Sequence, residues 1–416
     1  MISKLFSNSI IYILSLLFNK GLTFLLLPVL TFYLTKEDYG ILGIVTAIST
    51  IASIYVGFFP SIFLLSKFSN YGKEKIAEYL HHIFTITFIS SILILFVLIL
   101  CQDILLPEIE NKTILMFIII LYALFNVFFK ILDTIIQLEQ KAIKFAILQT
   151  FQSIASLGLG LILIIEFSWD WKGKYYAEIL ILFFIFIYVL YYIFKNNYYK
   201  FNTDYSKLKE LIKFLFPLTF SVLGLYILGT IDRIFVANML GLEAAGIYNI
   251  AITMAIIINM VYDSIYKAIT PIIYENLSKE NINSEVKVVK LIYIYSASVI
   301  FIYMIYITLL PFIFNIMINI KFNEALVLIP MLAIGLTFEG LRKAIESPMV
   351  FKNKVKSLAL ITILASTLNI ILNYYLIKIY GINGAAYATV ISFFILYILN
   401  FILLLKSSKL PWLLKG

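Results

Sequence analysis

The chain has 416 residues, of which 62% are hydrophobic and only 13% are charged, against roughly a quarter charged in soluble domains. This small number of charged residues cannot cover the surfaces of two or three soluble domains. The composition therefore excludes a soluble protein and indicates a membrane protein. The single cysteine excludes an intramolecular disulfide, and the two histidines form no zinc-binding motif, so neither a metal nor a cofactor is expected.

Long apolar runs follow one another along the whole chain. A membrane core about 30 Å thick requires roughly 20 apolar residues per helix, and the sequence contains twelve runs of about that length. The connections between them are short, and the longest runs from Lys195 to Lys213. The sequence therefore predicts an all-α polytopic membrane protein with about twelve spans, at residues 9–34, 40–65, 82–101, 113–138, 143–165, 175–194, 211–238, 245–273, 289–318, 323–350, 356–378 and 383–405.

The lysines orient these spans. With the N-terminus inside, the cytoplasmic segments hold twenty lysines and the external loops hold six, counted from the sequence. This excess satisfies the positive-inside rule, so both termini are expected in the cytoplasm. The net charge of +9 then reflects membrane topology, and nucleic acid is not expected as a partner.

The two halves of the chain resemble each other. Residues 34–41 align with 240–247 at an offset of 206, and residues 173–179 align with 384–390 at an offset of 211. Both matches fall at equivalent loops of a six-plus-six arrangement. We therefore expect two six-helix bundles, residues 1–200 and 201–416, that form a parallel repeat about an axis along the membrane normal.

Several charged residues lie inside the predicted spans, where each costs roughly 3 kcal/mol unless it faces protein or water. One group of four on the tenth span follows the spacing i, i+3, i+4, i+7, which puts all of them on one helix face. Two reasons could explain such stripes: the residues line a cavity, or they form ion pairs that serve assembly only. The residues considered are Lys20, Lys130, Asp133, Asp232, Arg233, Asp263, Lys267, Glu339, Arg342, Lys343 and Glu346.

Two further stripes add amide side chains to these charges. Asn126 lies on the same face as Lys130 and Asp133 in the fourth span, and Asn259 lies on the same face as Asp263 in the eighth. These polar and charged residues are candidates to line a cavity within the membrane.

The chain contains only two arginines, Arg233 and Arg342, and both lie within predicted spans. Every basic position in a loop is lysine. Because a guanidinium binds phosphate or carboxylate with two parallel hydrogen bonds, which lysine cannot do, these positions are candidates for anion recognition, with phosphate as the favoured form. Pairing with a carboxylate on a neighbouring helix is the alternative.

Three junctions resemble those of a known family. Residues 369–377 followed by 380–390 resemble the junction of the eleventh and twelfth helices in bacterial polysaccharide flippases of the O-antigen type. Residues 232–248 resemble the seventh-to-eighth junction, and residues 28–40 resemble the first. These flippases belong to the multidrug, oligosaccharidyl-lipid and polysaccharide exporter superfamily, so the resemblance implies its MATE-like fold of two six-helix bundles around a central cavity.

By this resemblance, the chain is a flippase of the bacterial inner membrane and not an enzyme. It would move an undecaprenyl-diphosphate-linked oligosaccharide, such as an O-antigen or capsule unit, to the outer leaflet by alternating access. Membrane lipid, a coupling ion (H⁺ or Na⁺) and the glycan polymerase or export machinery are its expected partners. The family's cavity is cationic, and the cations here that could line it are Arg233, Arg342, Lys20 and Lys130.

Two other functions remain open at this point. A drug or small-cation exporter of the same superfamily is expected to have unpaired carboxylates in its cavity, whereas cations slightly outnumber anions here. A membrane glycan polymerase usually needs a large loop outside the membrane, and no predicted loop is that long.

Overall fold

The structure is a computed structural model that describes residues 2–106, 108–279, 281–352, 354–408 and 410–412. Within these ranges the side chains of residues 2–10, 13, 16, 20, 68–71, 217, 218, 220 and 221 are not described. The described residues form α-helices joined by short turns and contain no strand. The helices are α1 (Ile2–Leu25), α2 (Leu27–Tyr33), α3 (Lys36–Tyr55), α4 (Pro60–Leu100), α5 (Gln102–Leu105), α6 (Lys112–Leu138), α7 (Ala142–Ile165), α8 (Asp170–Lys195), α9 (Tyr205–Leu240), α10 (Leu242–Leu277), α11 (Ile282–Met317), α12 (Ala325–Phe351), α13 (Val355–Tyr380) and α14 (Ile382–Ser407).

Eleven helical stretches of the described chain are long and apolar enough to cross a membrane. The apolar helices α1 and α2, which are separated at Leu26, cover the predicted first span. The prediction of a polytopic all-α protein with about twelve spanning helices is therefore confirmed. The chain is a multi-pass membrane protein.

The predicted second span, 40–65, differs from the structure. Helix α3 ends at Tyr55, and Gly57, Phe58 and Phe59 follow with φ of 78°, 54° and 59°. These left-handed residues stop the helix. Pro60 then begins α4, at the first turn of the helix, which is where an α-helix tolerates proline best. Helix α4 breaks again at Gly72, so the third membrane-crossing stretch is Gly72–Leu100 and not 82–101.

The chain divides into two compact units, Met1–Thr219 and Phe220–Gly416. The first unit ends beyond residue 200 because the segment after α8 is tied to α4. Lys200 donates to Glu78 at 2.8 Å, Lys207 also donates to Glu78, and the Tyr79 hydroxyl donates to Glu210. These contacts hold the beginning of α9 against the first unit.

The same connection is anchored at a second carboxylate, Glu139, which lies just after the end of α6. The hydroxyls of Tyr192 and Tyr198 and the ammonium of Lys141 donate to it. Burial opposes ionisation of this carboxyl, but the three donors outweigh burial and hold the pKa of Glu139 below its ordinary value. The long connection predicted at 195–213 is therefore fixed at both ends.

The two repeat motifs have matching local structure. At the first, Thr35 caps α3, where its hydroxyl accepts from the Asp38 backbone and Asp38 accepts from the Thr35 backbone. The aligned residue in the second unit, Gly241, occupies the same cap position before α10 and has a φ of 88°. Both residues start a helix, one with a side-chain cap and the other with the backbone freedom of glycine.

The second motif aligns two glycines at close approaches between helices. A Cβ added to Gly173 would lie 3.1 Å from the backbone nitrogen of Ile164, and one added to Gly384 would lie 2.0 Å from the carbonyl oxygen of Leu376. In each unit the absence of a Cβ on the glycine lets the first turn of one helix pack against the C-terminal end of the preceding helix.

We expect Gly384→Ala to lower the thermal stability of the purified protein, since overpacking at a backbone contact costs about 1–3 kcal/mol or more. The matched control is Gly158→Ala on α7, where no atom lies within 4 Å of the added Cβ and alanine favours the helix by roughly 0.5–1 kcal/mol. Melting curves in detergent compare the two variants. Equal melting temperatures would contradict the close packing at Gly384.

Candidate functional site

Asp232 on α9 is the centre of a buried polar cluster in the second unit. Its carboxylate accepts from the Tyr248 hydroxyl of α10 at 2.7 Å, from Asn373 of α13 at 2.6 Å and from Thr389 of α14 at 2.5 Å. All four side chains are buried. Asn373 is held in turn by Asn369, one helical turn earlier on α13. One carboxylate thus ties four helices together.

The neighbouring residue, Arg233, has a different environment. It is only 8% exposed, yet its guanidinium makes no hydrogen bond and no ion pair to the described residues, and its Nε is buried without a partner. Arg233 lies within the membrane-crossing stretch Val222–Leu240. A buried cation without a hydrogen-bonded partner is costly, so Arg233 stays a candidate for the anion recognition predicted from the sequence.

Arg342 on α12, by contrast, is fully paired. Its Nε and Nη2 donate to the two oxygens of Glu339 at 2.7 and 2.8 Å, and its Nη1 donates to Glu346. The i, i+3 and i+4 spacing that predicted one helix face also lets these three residues bind one another along that face. The Arg342 side chain is 5% exposed.

Lys343 links α12 to α10. Its ammonium donates to Asn259 at 2.9 Å and to Asp263 at 2.5 Å, both on α10. Glycine at position 340 lets the two helices approach, since a Cβ there would lie 2.7 Å from the ring of Tyr262. The structure therefore joins the predicted stripes of α10 and α12 into one network.

A cavity of about 210 Å³ lies within the second unit, among α9, α10, α12 and α14. Its polar lining brings together Asp232, Glu339, Asn259 and Thr389, and the remaining lining residues are apolar. Two carboxylates from separate clusters thus line one cavity. Oxygen atoms of this kind can take up a proton or a hard cation, although no three His, Cys, Asp or Glu side chains converge in the described part of the chain.

In the first unit, the residues of the stripe predicted on α6 lie in different environments. Asp133 is buried and accepts from Gln149 of α7, whereas Lys130 is exposed and Asn126 is half-buried. The α6 helix faces both the packed interior of its unit and its surface. Lys20 lies on α1, and its side chain is outside the described residues.

The sequence analysis missed a second polar cavity, of about 220 Å³, in the first unit. Lys174 and Glu178 of α8 both line it. The prediction put Lys174 in an external loop, but α8 begins at Asp170, so both residues are helical and one turn apart. The sequence did contain a signal for this pair. Glu178 is a charged residue inside the predicted span 175–194, and it lies four residues after Lys174, which puts the two on one helix face.

Comparison with curated proteins finds two relatives of similar sequence. Two curated proteins of Haemophilus influenzae match over 285 residues, one named for the Lsg locus at 24% identity and one described as an uncharacterized membrane protein at 23%. The match covers 67% of this chain in both cases, and 68% and 67% of the respective relatives.

Solved structures of similar fold cover nearly the whole chain. An inward-facing MATE family multidrug resistance transporter has a TM-score of 0.75 at 15% identity and covers 94% of this chain and 96% of its own. The lipid II flippase MurJ, in an inward closed conformation, has a TM-score of 0.70 at 14% identity and covers 97% and 88%.

A model of the polysaccharide biosynthesis protein family matches residues 5–277, about two thirds of the chain. Together with the shared fold, this match confirms the resemblance found in the sequence. The chain belongs to the polysaccharide biosynthesis protein family.

Proposed function

We propose that this protein is a flippase of the bacterial inner membrane and not an enzyme. Its substrate is an oligosaccharide linked to undecaprenyl diphosphate, such as an O-antigen or capsule repeat unit. The protein moves this substrate from the cytoplasmic to the outer leaflet, where a glycan polymerase or export machinery receives it. Membership of the polysaccharide biosynthesis family supports the substrate class.

The observation that carries the proposal is the unpaired guanidinium of Arg233. A lipid diphosphate carries its negative charge into the membrane, and moving it there requires a desolvated cation that other groups have not neutralised. Arg233 is buried and makes no ion pair to the described residues. Its fork of donors matches the oxygens of a phosphate group.

Arg342 has a different role in this proposal. Because Glu339 and Glu346 already occupy its donors, binding a phosphate there would require breaking a buried network. We therefore assign Arg342 to holding one face of α12 in place. This favours the assembly alternative of the sequence analysis for Arg342 and the anion-binding alternative for Arg233.

The coupling ion is part of the same proposal. Asp232 and Glu339 line one cavity of the second unit, and a carboxylate pair of this kind supports binding of H⁺ or Na⁺. A drug or small-cation exporter would also use such carboxylates, so cation binding alone does not separate the two functions. A glycan polymerase is distinguished by its product, which is a longer glycan and not a translocated one.

Substitution of Arg233 tests the anion-binding role. Loss of a charge-assisted contact worth about 1.5–3 kcal/mol is expected to lower flipping about tenfold or more in Arg233→Ala. Arg233→Lys keeps the charge without the bidentate geometry and is expected to fall between wild type and Ala. The assay uses proteoliposomes that contain a labelled undecaprenyl-diphosphate oligosaccharide and measures the fraction exposed to an added glycan-cleaving enzyme, per folded molecule.

The control for this assay is Lys378→Ala, which removes an exposed cation from the last turn of α13. We expect it to flip at the wild-type rate. Normal flipping by Arg233→Ala would exclude the anion-binding role. Transport of organic cations without flipping of the glycan lipid would favour the drug exporter.

Substitution of Arg342 is expected to act on folding. Arg342→Ala leaves the partly buried carboxylates of Glu339 and Glu346 without this partner, at a cost of up to roughly 3–5 kcal/mol, and should lower the yield of folded protein. The triple variant Arg342→Met, Glu339→Gln, Glu346→Gln removes all three charges and is expected to recover much of that yield. Size-exclusion chromatography of detergent extracts measures it. Full folding of Arg342→Ala with loss of flipping would show that Arg342 acts on the substrate.

The orientation of the chain is tested by labelling single cysteines in a Cys101→Ser background. We expect a membrane-impermeant maleimide to label Glu108→Cys in intact cells, since the lysine distribution puts this loop outside. Thr203→Cys, in the connection before α9, is expected to react only after the cells are opened. Labelling of Thr203→Cys in intact cells would reverse the proposed topology.

A further inference from the structure

The first unit contains a polar cavity that the proposed substrate site does not use. The cavity of about 220 Å³ is surrounded by α1, α3, α6, α7 and α8 and has room for several water molecules. Hydroxyl, amide, ammonium and carboxylate groups make up its polar lining, which is unusual for a space between membrane-spanning helices. The polar lining residues are Thr23, Thr46, Tyr122, Gln152, Ser153, Ser156, Lys174, Tyr175 and Glu178.

The charged groups of this cavity are one cation and one carboxylate, both on α8. Lys174 and Glu178 are spaced i, i+4, which would allow a direct ion pair. No oxygen of Glu178 lies within 4.0 Å of the Lys174 ammonium, however, and Lys174 makes no hydrogen bond to the described residues. The two charges therefore face the same small polar space without touching.

Glu178 instead accepts a hydrogen bond from the Tyr122 hydroxyl of α6 at 3.2 Å. The Tyr122 ring stacks on that of Tyr175 with centroids 5.7 Å apart, and the Tyr175 hydroxyl is held by Ser49 of α3 at 2.6 Å. This chain of contacts fixes the donor to Glu178 without neutralising it. Among the described side chains, α1, α3 and α7 contribute only neutral groups to the lining.

We propose that this cavity is a proton-binding site in which Glu178 takes up the proton and Lys174 supplies the counter-charge. With both groups charged, the described lining of the cavity carries no net charge. A proton taken from water by Glu178 gives a carboxylic acid and leaves the Lys174 ammonium as a net positive charge. The inference rests on the proposed transport function only in naming the proton as its coupling ion.

The physical consequence is a link between proton binding and hydration. Removing water from a carboxylate disfavours its charged form, whereas a hydrated cavity stabilises it. A conformation that excludes water therefore favours the protonated state of Glu178, and one that opens the cavity to water favours proton release. Counted at about 1.5 Å per residue, Glu178 lies roughly 12 Å from the start of α8, at the end that is expected to face outside.

The test is an infrared titration of the purified full-length protein without any glycan lipid. A protonated carboxylic acid gives a C=O stretching band that the carboxylate lacks. We expect this band to grow as the pH falls and the part due to Glu178 to disappear in Glu178→Gln. The matched control is Glu166→Gln, which changes an exposed carboxylate at the C-terminal end of α7 and is expected to leave that part of the band in place.

Two milder variants keep the test decisive if Glu178→Gln folds poorly. Tyr122→Phe removes only the hydroxyl that stabilises the carboxylate, and Lys174→Gln removes only the counter-charge. Each is expected to move the appearance of the Glu178 band to higher pH, because each removes a group that favours the ionised form. A band that is unchanged in all three variants would overturn the proposal. Glycan flipping is measured separately, so a titrating Glu178 in a protein that does not flip the glycan would refute the proposed function alone.

Discussion

The cost of an isolated charge inside a membrane constrains every polar residue of this protein. Each ionisable side chain in a spanning helix must be paired, hydrated or available for a ligand, because lipid satisfies none of its bonds. The second unit shows two of these outcomes on neighbouring helices. Arg342 is paired with carboxylates of its own helix face, whereas Arg233 is buried and makes no ion pair with any side chain that the structure describes. The two residues are of the same type, so the difference lies in the partners that surround each guanidinium.

Helical periodicity predicted the face on which charges lie but not which residues they contact. The stripe at Glu339, Arg342 and Glu346 was correct as a face, and the structure shows that its members bind one another. The Asp232 cluster was not predictable in this way, since its donors come from α10, α13 and α14. Contacts between helices far apart in sequence depend on packing, which periodicity does not encode.

Errors in the predicted span boundaries concealed a residue that lines a polar cavity. Apolar windows predicted the number of spanning helices, but they placed the start of the sixth span at residue 175, which left Lys174 in a loop. The structure extends that helix back to Asp170 and brings Lys174 and Glu178 to one cavity. Charges near a helix end reduce the apolar signal there, so the residues most useful for ion binding are the ones that hydropathy excludes. Gly57 and Pro60 had a similar effect on the second span, because their backbone geometry and not their polarity ends the helix.

The adjacency of Asp232 and Arg233 gives α9 a double role. Successive residues of an α-helix point about 100° apart, since 3.6 residues complete a turn. The carboxylate is fixed to α10, α13 and α14 by three hydrogen bonds, whereas the adjacent guanidinium makes none to the described residues. Any shift of α9 that moves Arg233 toward an anion also displaces Asp232 from its three donors and changes the cavity that it lines. In the proposed transport function, helix α9 would therefore relate an anion at Arg233 to a proton or cation beside Asp232 without a longer chain of intermediate contacts.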